Sequence, residues 1–145
     1  MPGARRKSSF IPPSERIFAA KPRRAVPFQF VLDAIAELPV RIRPMFGCLA
    51  VYVAEKIVLI LRDRPTEKRD NGVWLATGPE HHESLRHEFP NMRTIYLLGD
   101  KITNWQNLPA DASDFEQSAL RACELILEQD PRIGKVPKRK RSSRA

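Results

Sequence analysis

Three histidines are the first residues of this sequence whose types and spacing could support chemistry. His81, His82 and His87 lie in one short segment, and Glu83 precedes His87 by four residues. Residues four apart on a helix share a face, so such a Glu–His pair could hold a metal ion. The spacing of the His-Glu-x-x-His zinc motif is absent, however. A solvated polar helix face is the favoured interpretation, and neither a metal nor a cofactor is predicted.

Two cysteines are the next candidates, because a thiol can act as a nucleophile or a redox partner. Cys48 opens a predicted strand and Cys123 falls in the apolar stripe of a predicted helix, so both are also explained as small buried residues. Two cysteines are too few for a disulfide framework. The sequence contains no nucleophile elbow, glycine-rich phosphate loop or metal-ligand cluster. A small enzyme that uses Cys48 or the histidine helix is therefore the last of three functional hypotheses.

Arg43, Met45, Phe46 and Gly47 form the most distinctive group of residues. One interpretation is a binding surface for a ligand or partner beside a tight backbone turn. The other, which the sequence alone favours, is that Gly47 adopts a positive φ while Met45 and Phe46 fill the core. These four residues are the candidate binding surface of the folded domain.

Four larger aromatic residues, Tyr52, Trp74, Tyr96 and Trp105, could form a platform on which bases stack. They fall on separate predicted strands. Aromatic side chains at such positions usually pack beneath helices, so core packing is the favoured role.

The positive charge is concentrated at the two ends of the chain, whose formal net charge is +8. Residues 1–24 carry seven basic residues against one acidic residue, and residues 131–145 carry seven against none. Residues 25–130 carry eleven against sixteen, so the predicted domain is acidic. Two basic arms could bind phosphates without sequence preference, could lie on an acidic surface, including that of their own domain, or could serve only solubility. The candidate nucleic-acid contacts are Arg5, Arg6, Lys7, Lys138, Arg139, Lys140 and Arg141.

The apolar periodicity predicts the elements that position these residues. The order is helix, three strands, helix, two strands and helix, over residues 27–38, 48–53, 57–61, 73–76, 79–89, 95–98, 102–106 and 111–127. Short turns between consecutive strands favour antiparallel pairing. We therefore predict a single α+β domain at 25–130 with a mainly antiparallel five-stranded sheet, a flexible arm at 1–24 and a disordered tail at 131–145.

The residues Arg43-Pro44-Met45-Phe46-Gly47, followed by Val51-Tyr52-Val53 and Lys56, resemble the start of the TfoX/Sxy N-terminal domain family. Asn107-Leu108-Pro109 before an acidic helix start is similar to the end of that family's domain, so the resemblance spans residues 30–128. YjbR-like small domains are a second choice. The resemblance implies the same element order, in a secretion-chaperone-like fold, and a regulatory rather than catalytic role.

The favoured function is a non-enzymatic interaction or regulatory module that binds a protein partner or forms a homodimer. The alternative is a nucleic-acid-associated regulator that contacts phosphates through its basic arms. The sequence has no apolar run of about 20 residues, and its basic N-terminus is not followed by an apolar stretch. We therefore expect a cytoplasmic protein without a membrane partner.

Overall fold

The computed structural model describes residues 26–97 and 104–137. Within these ranges the chain forms three α-helices, six strands and two short 3₁₀ helices. The helices are α1 (Gln29–Ala34), α2 (His82–Glu88) and α3 (Phe115–Leu127), and the 3₁₀ helices are Lys68–Asp70 and Pro79–His81. The strands are β1 (Val40–Met45), β2 (Cys48–Val53), β3 (Lys56–Arg62), β4 (Gly72–Ala76), β5 (Arg93–Thr94) and β6 (Trp105–Pro109). The predicted α+β class is confirmed.

The six strands form one sheet in the order β1-β2-β3-β4-β6-β5, and every neighbouring pair is antiparallel. The mainly antiparallel sheet is thus confirmed, but it has six strands rather than five. The additional strand is β1, whose apolar pattern is interrupted by Pro44 and by exposed arginines. An edge strand tolerates proline because the N–H on its outer side needs no partner.

The predicted fourth and fifth strands are displaced along the chain. Among the described residues near the predicted 95–98 strand, sheet pairing is limited to Arg93 and Thr94, and the part of the predicted 102–106 strand that the structure describes belongs to a strand over Trp105–Pro109. Residues 95–97 leave the sheet because the carboxylate of buried Asp70 accepts hydrogen bonds from the backbone N–H groups of Tyr96 and Leu97, at 2.8 and 2.6 Å. Residues 98–103, which hold the end of the first of these predicted strands and the start of the second, lie outside the described residues.

One face of the sheet packs against all three helices. Strand residues such as Leu59 and Leu75 contact helix residues in a continuous apolar core. The helices contribute buried side chains to it at helical spacing, namely Val31 and Ile35 from α1, Leu85 from α2, and Ala119, Ala122, Cys123 and Ile126 from α3. We call this side of the molecule the helix layer.

The opposite face of the sheet carries a second, smaller apolar cluster. Its buried members are Ala50, Tyr52, Ile57, Ile60, Trp74, Ala76 and Ile95. The indole N–H of Trp74 donates to the carbonyl of Asp70 at 2.8 Å, which brings the 3₁₀ segment towards this face. Core packing of Tyr52 and Trp74 agrees with the prediction. Tyr96 does not follow it, because its side chain is 57% exposed.

The ordered domain continues beyond residue 130, where the sequence placed the start of the tail. Ile133 is only 3% exposed, and the N–H of Gly134 donates to the carbonyl of Ala76 at 2.7 Å. Lys135 exchanges two backbone hydrogen bonds with Ile57, at 2.9 and 3.0 Å. Residues 131–137 therefore pack against the end of β3 and β4, because they supply both an apolar side chain and backbone partners to this edge.

Candidate functional site

The turn between β1 and β2 consists of only two residues. Met45 pairs with Cys48, which leaves Phe46 and Gly47 as the turn, with φ values of 53° and 75°. Two positive φ values are what a type I′ hairpin turn requires. The predicted positive φ of Gly47 is confirmed. The favoured interpretation that Phe46 fills the core is wrong, because its side chain projects from the end of the hairpin and is 92% exposed.

Phe46 lowers the stability of this turn instead of raising it. Asparagine or glycine is preferred at its position, and a bulky side chain in the left-handed region costs about 1 kcal/mol. A ring that is 92% exposed recovers almost none of this through burial. The identity of the residue is therefore not explained by folding, which makes it a candidate for binding.

Arg64 holds the same turn from the side of β3. Its Nη1 donates to the carbonyl oxygen of Gly47 at 3.1 Å. A Cβ atom at position 47 would collide with the Arg64 guanidinium, which is the end of a flexible side chain and would have to move. Gly47 is thus favoured by the positive φ of the turn, and its lack of a side chain leaves room for the Arg64 guanidinium at this position.

Arg64 is itself positioned by a polar network in the loop between β3 and β4. The buried Arg62 guanidinium, only 4% exposed, donates to the carbonyls of Thr66 and Glu67 and to Asn71 Oδ1, at 3.0, 2.8 and 2.8 Å. The side chain of Asn71 also accepts from the backbone N–H of Arg64 and donates to its carbonyl. Arg62 and Asn71 therefore determine where the loop places Arg64.

Two further arginines lie on β1, on the face opposite the helix layer. Arg41 pairs with Tyr52 and Arg43 with Ala50, and both partners belong to the second apolar cluster. The Arg41 guanidinium lies 4.9 Å from the centre of the Tyr52 ring, and both arginines are exposed. Alternate residues of a strand point to the same face of the sheet, so the side chains of Arg41 and Arg43 lie on one face.

These observations define a surface that we call the cationic tip. Phe46, Gly47, Arg43 and Arg64 lie towards the turn end of the β1–β2 hairpin, and Arg41 extends the surface along β1 towards its other end. Among the described residues, no carboxylate lies within ion-pair distance of its three arginines. The tip therefore combines an exposed aromatic ring with three cations that have no acidic partner in the described ranges. Of its members, the sequence singled out Arg43, Phe46 and Gly47. It missed Arg41, which the alternation along β1 could have indicated, and Arg64, which is brought in by a loop.

Met45, the remaining predicted binding residue, is half-buried against the second apolar cluster and is not part of the tip surface. Its packing agrees with the core role that the sequence favoured. The alternation along β1 places it on the same face as Arg43, between Arg43 and the turn.

The outer edge of β1 offers little backbone for strand addition. The two-residue turn makes Met45 and Cys48 a hydrogen-bonded pair, so the backbone groups of Val40, Ile42 and Pro44 point outward. Pro44 has no N–H, and the N–H of Val40 donates to the carbonyl of Leu38 at 2.8 Å. Ile42 is left as the one outward donor of β1, so binding at this end must rely on side chains.

The histidines do not form a site. His81 ends a 3₁₀ helix and pairs with Glu80 at 3.6 Å, whereas His82 is buried at the start of α2 and His87 is exposed. Burial, reinforced by nearby Arg86, lowers the pKa of His82. In the described ranges no three His, Cys, Asp or Glu residues are grouped so that they could hold a metal ion.

The two cysteines also lack the surroundings of a reactive thiol. Burial raises the pKa of Cys123 to about 12, and its sulfhydryl donates to the carbonyl of Val31 at 3.6 Å. Burial also raises the pKa of Cys48, although Arg62 and Arg64 oppose this effect. Both thiols are therefore stabilised in the protonated form, which is a poor nucleophile.

An apolar cavity of about 520 Å³ lies at the other end of β2. Ala54, which has a φ of 54° in the two-residue turn between β2 and β3, lies at its wall. The other lining side chains are mostly aliphatic, including Leu38, Val53, Val58, Ile126, Ile133 and Val136. None of the three tip arginines lines this cavity.

No family model, no curated protein and no solved structure matches the chain. The similarity to the TfoX/Sxy N-terminal domain therefore stays a prediction. In the ranges that the structure describes, no helix is long and apolar enough to cross a bilayer. The predicted nucleic-acid contacts, Arg5, Arg6, Lys7, Lys138, Arg139, Lys140 and Arg141, lie outside the described residues.

Proposed function

We propose that this protein is a non-enzymatic interaction module that binds an anionic partner through the cationic tip. The observation that carries the proposal is the combination of an exposed, strained Phe46 with three arginines that lack a carboxylate partner in the described ranges. Unpaired exposed cations add little to folding, and they remain available to a ligand. The role agrees with the regulatory function implied by the TfoX/Sxy resemblance.

The distribution of charge in the domain supports a single orientation of the partner. Residues 40–71 carry seven basic and four acidic residues, whereas the described residues of 79–130 carry three basic and nine acidic residues. An anion is therefore attracted to the part of the domain formed by residues 40–71, which contains the cationic tip, and is repelled by residues 79–130, which include α2 and α3. This uneven distribution refines the sequence-based prediction of an acidic domain.

Self-association through β1 is less well supported. Pro44 and the internal hydrogen bond of Val40 leave one outward N–H on this strand, so two copies would exchange few backbone hydrogen bonds. The proposal therefore concerns a different molecule as partner.

The test compares two triple variants of the full chain on heparin, a polyanion without bases. Replacing Arg41, Arg43 and Arg64 by Gln should weaken heparin binding by about tenfold or more at low salt, because three phosphate-like contacts are lost. The matched control replaces Lys56, Arg86 and Lys135 by Gln and removes the same charge elsewhere in the domain. Isothermal titration calorimetry at several salt concentrations measures both. Equal losses in the two variants would mean that total charge, not the tip, determines binding, and would refute the proposal.

A further inference from the structure

We infer that the anionic partner is a single-stranded nucleic acid, with an unpaired base stacked on Phe46 and neighbouring phosphates held by Arg41, Arg43 and Arg64. This inference rests on the proposed function and specifies the partner of the same tip. It places nucleic-acid contact on the folded domain, in addition to any contact made by the basic arms.

Phe46 has the surroundings of a stacking residue and not those of a protein–protein anchor. Its ring is almost fully exposed. The other exposed large apolar residue of the hairpin, Ile42, pairs with Val51 and so points to the helix-layer face of the sheet, away from Arg41 and Arg43. Anchors at protein interfaces lie in apolar, well-packed regions. A lone ring next to cations instead suits a base, because every base has a π-face and is linked to a phosphate.

The arginines have a spacing and a donor supply that fit a nucleic-acid backbone. Arg41 and Arg43 are two residues apart on one face of β1, which separates their Cα atoms by about 6.7 Å. Consecutive phosphates of an extended single strand have a comparable separation. Arg64 uses Nη1 for the carbonyl of Gly47, and its other guanidinium N–H groups, which have no acceptor among the described residues, can donate to a phosphate.

The geometry of the sheet favours a single strand over a duplex. A two-stranded ribbon can enter the major groove, which is about 12 Å wide. The β1–β2 hairpin cannot do so as a ribbon, because β2 is also paired with β3 along its length. Stacking on Phe46 moreover requires a base that is not paired with a complementary strand.

An acidic peptide is the competing macromolecule. It would use the three arginines equally well, but it would gain little from an exposed aromatic ring that lies outside an apolar patch. The contribution of Phe46 therefore separates the two classes of partner. The arginines alone do not.

The experiment measures binding of a fluorescein-labelled oligothymidylate of about 12 nucleotides to the full chain by fluorescence anisotropy. Phe46→Ala should weaken binding between about fivefold and 100-fold, the range for loss of one stacked base. Phe46→Tyr, which keeps a ring, should retain wild-type affinity. The triple Arg→Gln variant should weaken binding about tenfold or more and lower the slope of log affinity against log salt by about 2.

Two comparisons make the result specific. Heparin affinity should be the same in Phe46→Ala and in the wild type, because heparin has no bases. Ala54→Gly, at the opposite end of β2, should leave oligothymidylate affinity unchanged. Phe46 is exposed, so thermal unfolding of Phe46→Ala is expected to show a folded protein.

The possible outcomes distinguish this inference from the proposed function. If the triple variant weakens both probes but Phe46→Ala changes neither, the tip binds anions and the single-strand inference is wrong. If a duplex of equal length binds more tightly than the single strand, or if only polyglutamate competes, the inference is also wrong. If the triple variant changes neither probe, both proposals are wrong.

Discussion

The arginines of the helix layer and those of the cationic tip illustrate two different uses of the same side chain. In the helix layer, Arg121 contacts Glu88 at 2.9 Å and Glu124 at 2.8 Å, and Arg132 contacts Asp130 at 2.9 Å and Glu88 at 3.3 Å. These ion pairs connect α2, α3 and the segment after α3. The arginines of the tip form no such pair within the described ranges. Paired cations join elements of the fold, whereas unpaired cations remain available for a partner.

Arg62 is a third case, because it is buried and is held by neutral oxygens. No carboxylate in the described residues pairs with it, and its three acceptors all belong to the loop that carries Arg64. The position of Arg64 in the tip therefore depends on the folded loop that Arg62 holds. This distinction between supporting and presented arginines leads to three predictions.

The largest effect is expected from Arg62→Met. The substitution removes the donor of two part-buried hydrogen bonds, to the carbonyls of Thr66 and Glu67, and of the buried hydrogen bond to Asn71, so the free energy of unfolding should fall by about 3 kcal/mol. Urea denaturation followed by circular dichroism measures the loss. Arg64→Gln, which removes an exposed contact to Gly47, should cost less than about 1 kcal/mol. A loss below about 1 kcal/mol in Arg62→Met would show that the buried network does not support the loop.

A change of intermediate size in the free energy of unfolding is expected from the ion pairs of the helix layer. The hydrogen bond from Arg121, followed by that from Arg132, lowers the pKa of Glu88 below its ordinary value of 4.5, and Arg132 lowers the pKa of Asp130. A lowered carboxyl pKa gives stability that is present above the unfolded-state value and lost as the pH falls through the folded value. Wild-type stability should therefore decrease below about pH 4.5.

Glu88→Gln should cost about 1 kcal/mol at pH 7 and should make the acid-induced loss shallower. Urea denaturation between pH 7 and pH 3 measures both effects. Glu83→Gln is the control, since Glu83 is exposed on the same helix and makes no ion pair with any described residue. An identical acid profile in Glu88→Gln and the wild type would contradict the assignment of stability to these pairs.

The smallest effect is a gain of stability at the tip. Phe46→Asn places a preferred residue in the left-handed position of the β1–β2 turn, so the free energy of unfolding should rise by about 0.5–1 kcal/mol while oligothymidylate binding weakens. Ala54→Gly relieves the same kind of backbone strain in the β2–β3 turn and should leave binding unchanged. Urea denaturation and anisotropy measure the two properties. A less stable Phe46→Asn would show that the ring contributes to packing and would weaken the functional interpretation.

Much of the core could be predicted from the sequence, because apolar periodicity reports burial directly. The spacing of Ala119, Ala122, Cys123 and Ile126 indicated the buried face of α3, and the apolar run from Ile57 to Leu61 indicated a strand buried on both faces. The site was predicted only in part. Gly47 and Arg43 were identified, but Phe46 was assigned to the core because an aromatic residue between apolar neighbours has the same pattern whether it is buried or exposed at a turn.

The sequence by itself determined the α+β class, the antiparallel pairing and the positive φ of Gly47, because these depend on local patterns of apolar residues and turn formers. Only the tertiary structure decided that β1 is an edge strand and that Phe46 is exposed. It also decided that Arg64 reaches the carbonyl of Gly47 from seventeen residues away. The physical reason is that the periodicity of apolar residues indicates which residues are buried. The contact between a loop arginine and a hairpin turn depends instead on long-range hydrogen bonds, which leave no periodic signal in the sequence.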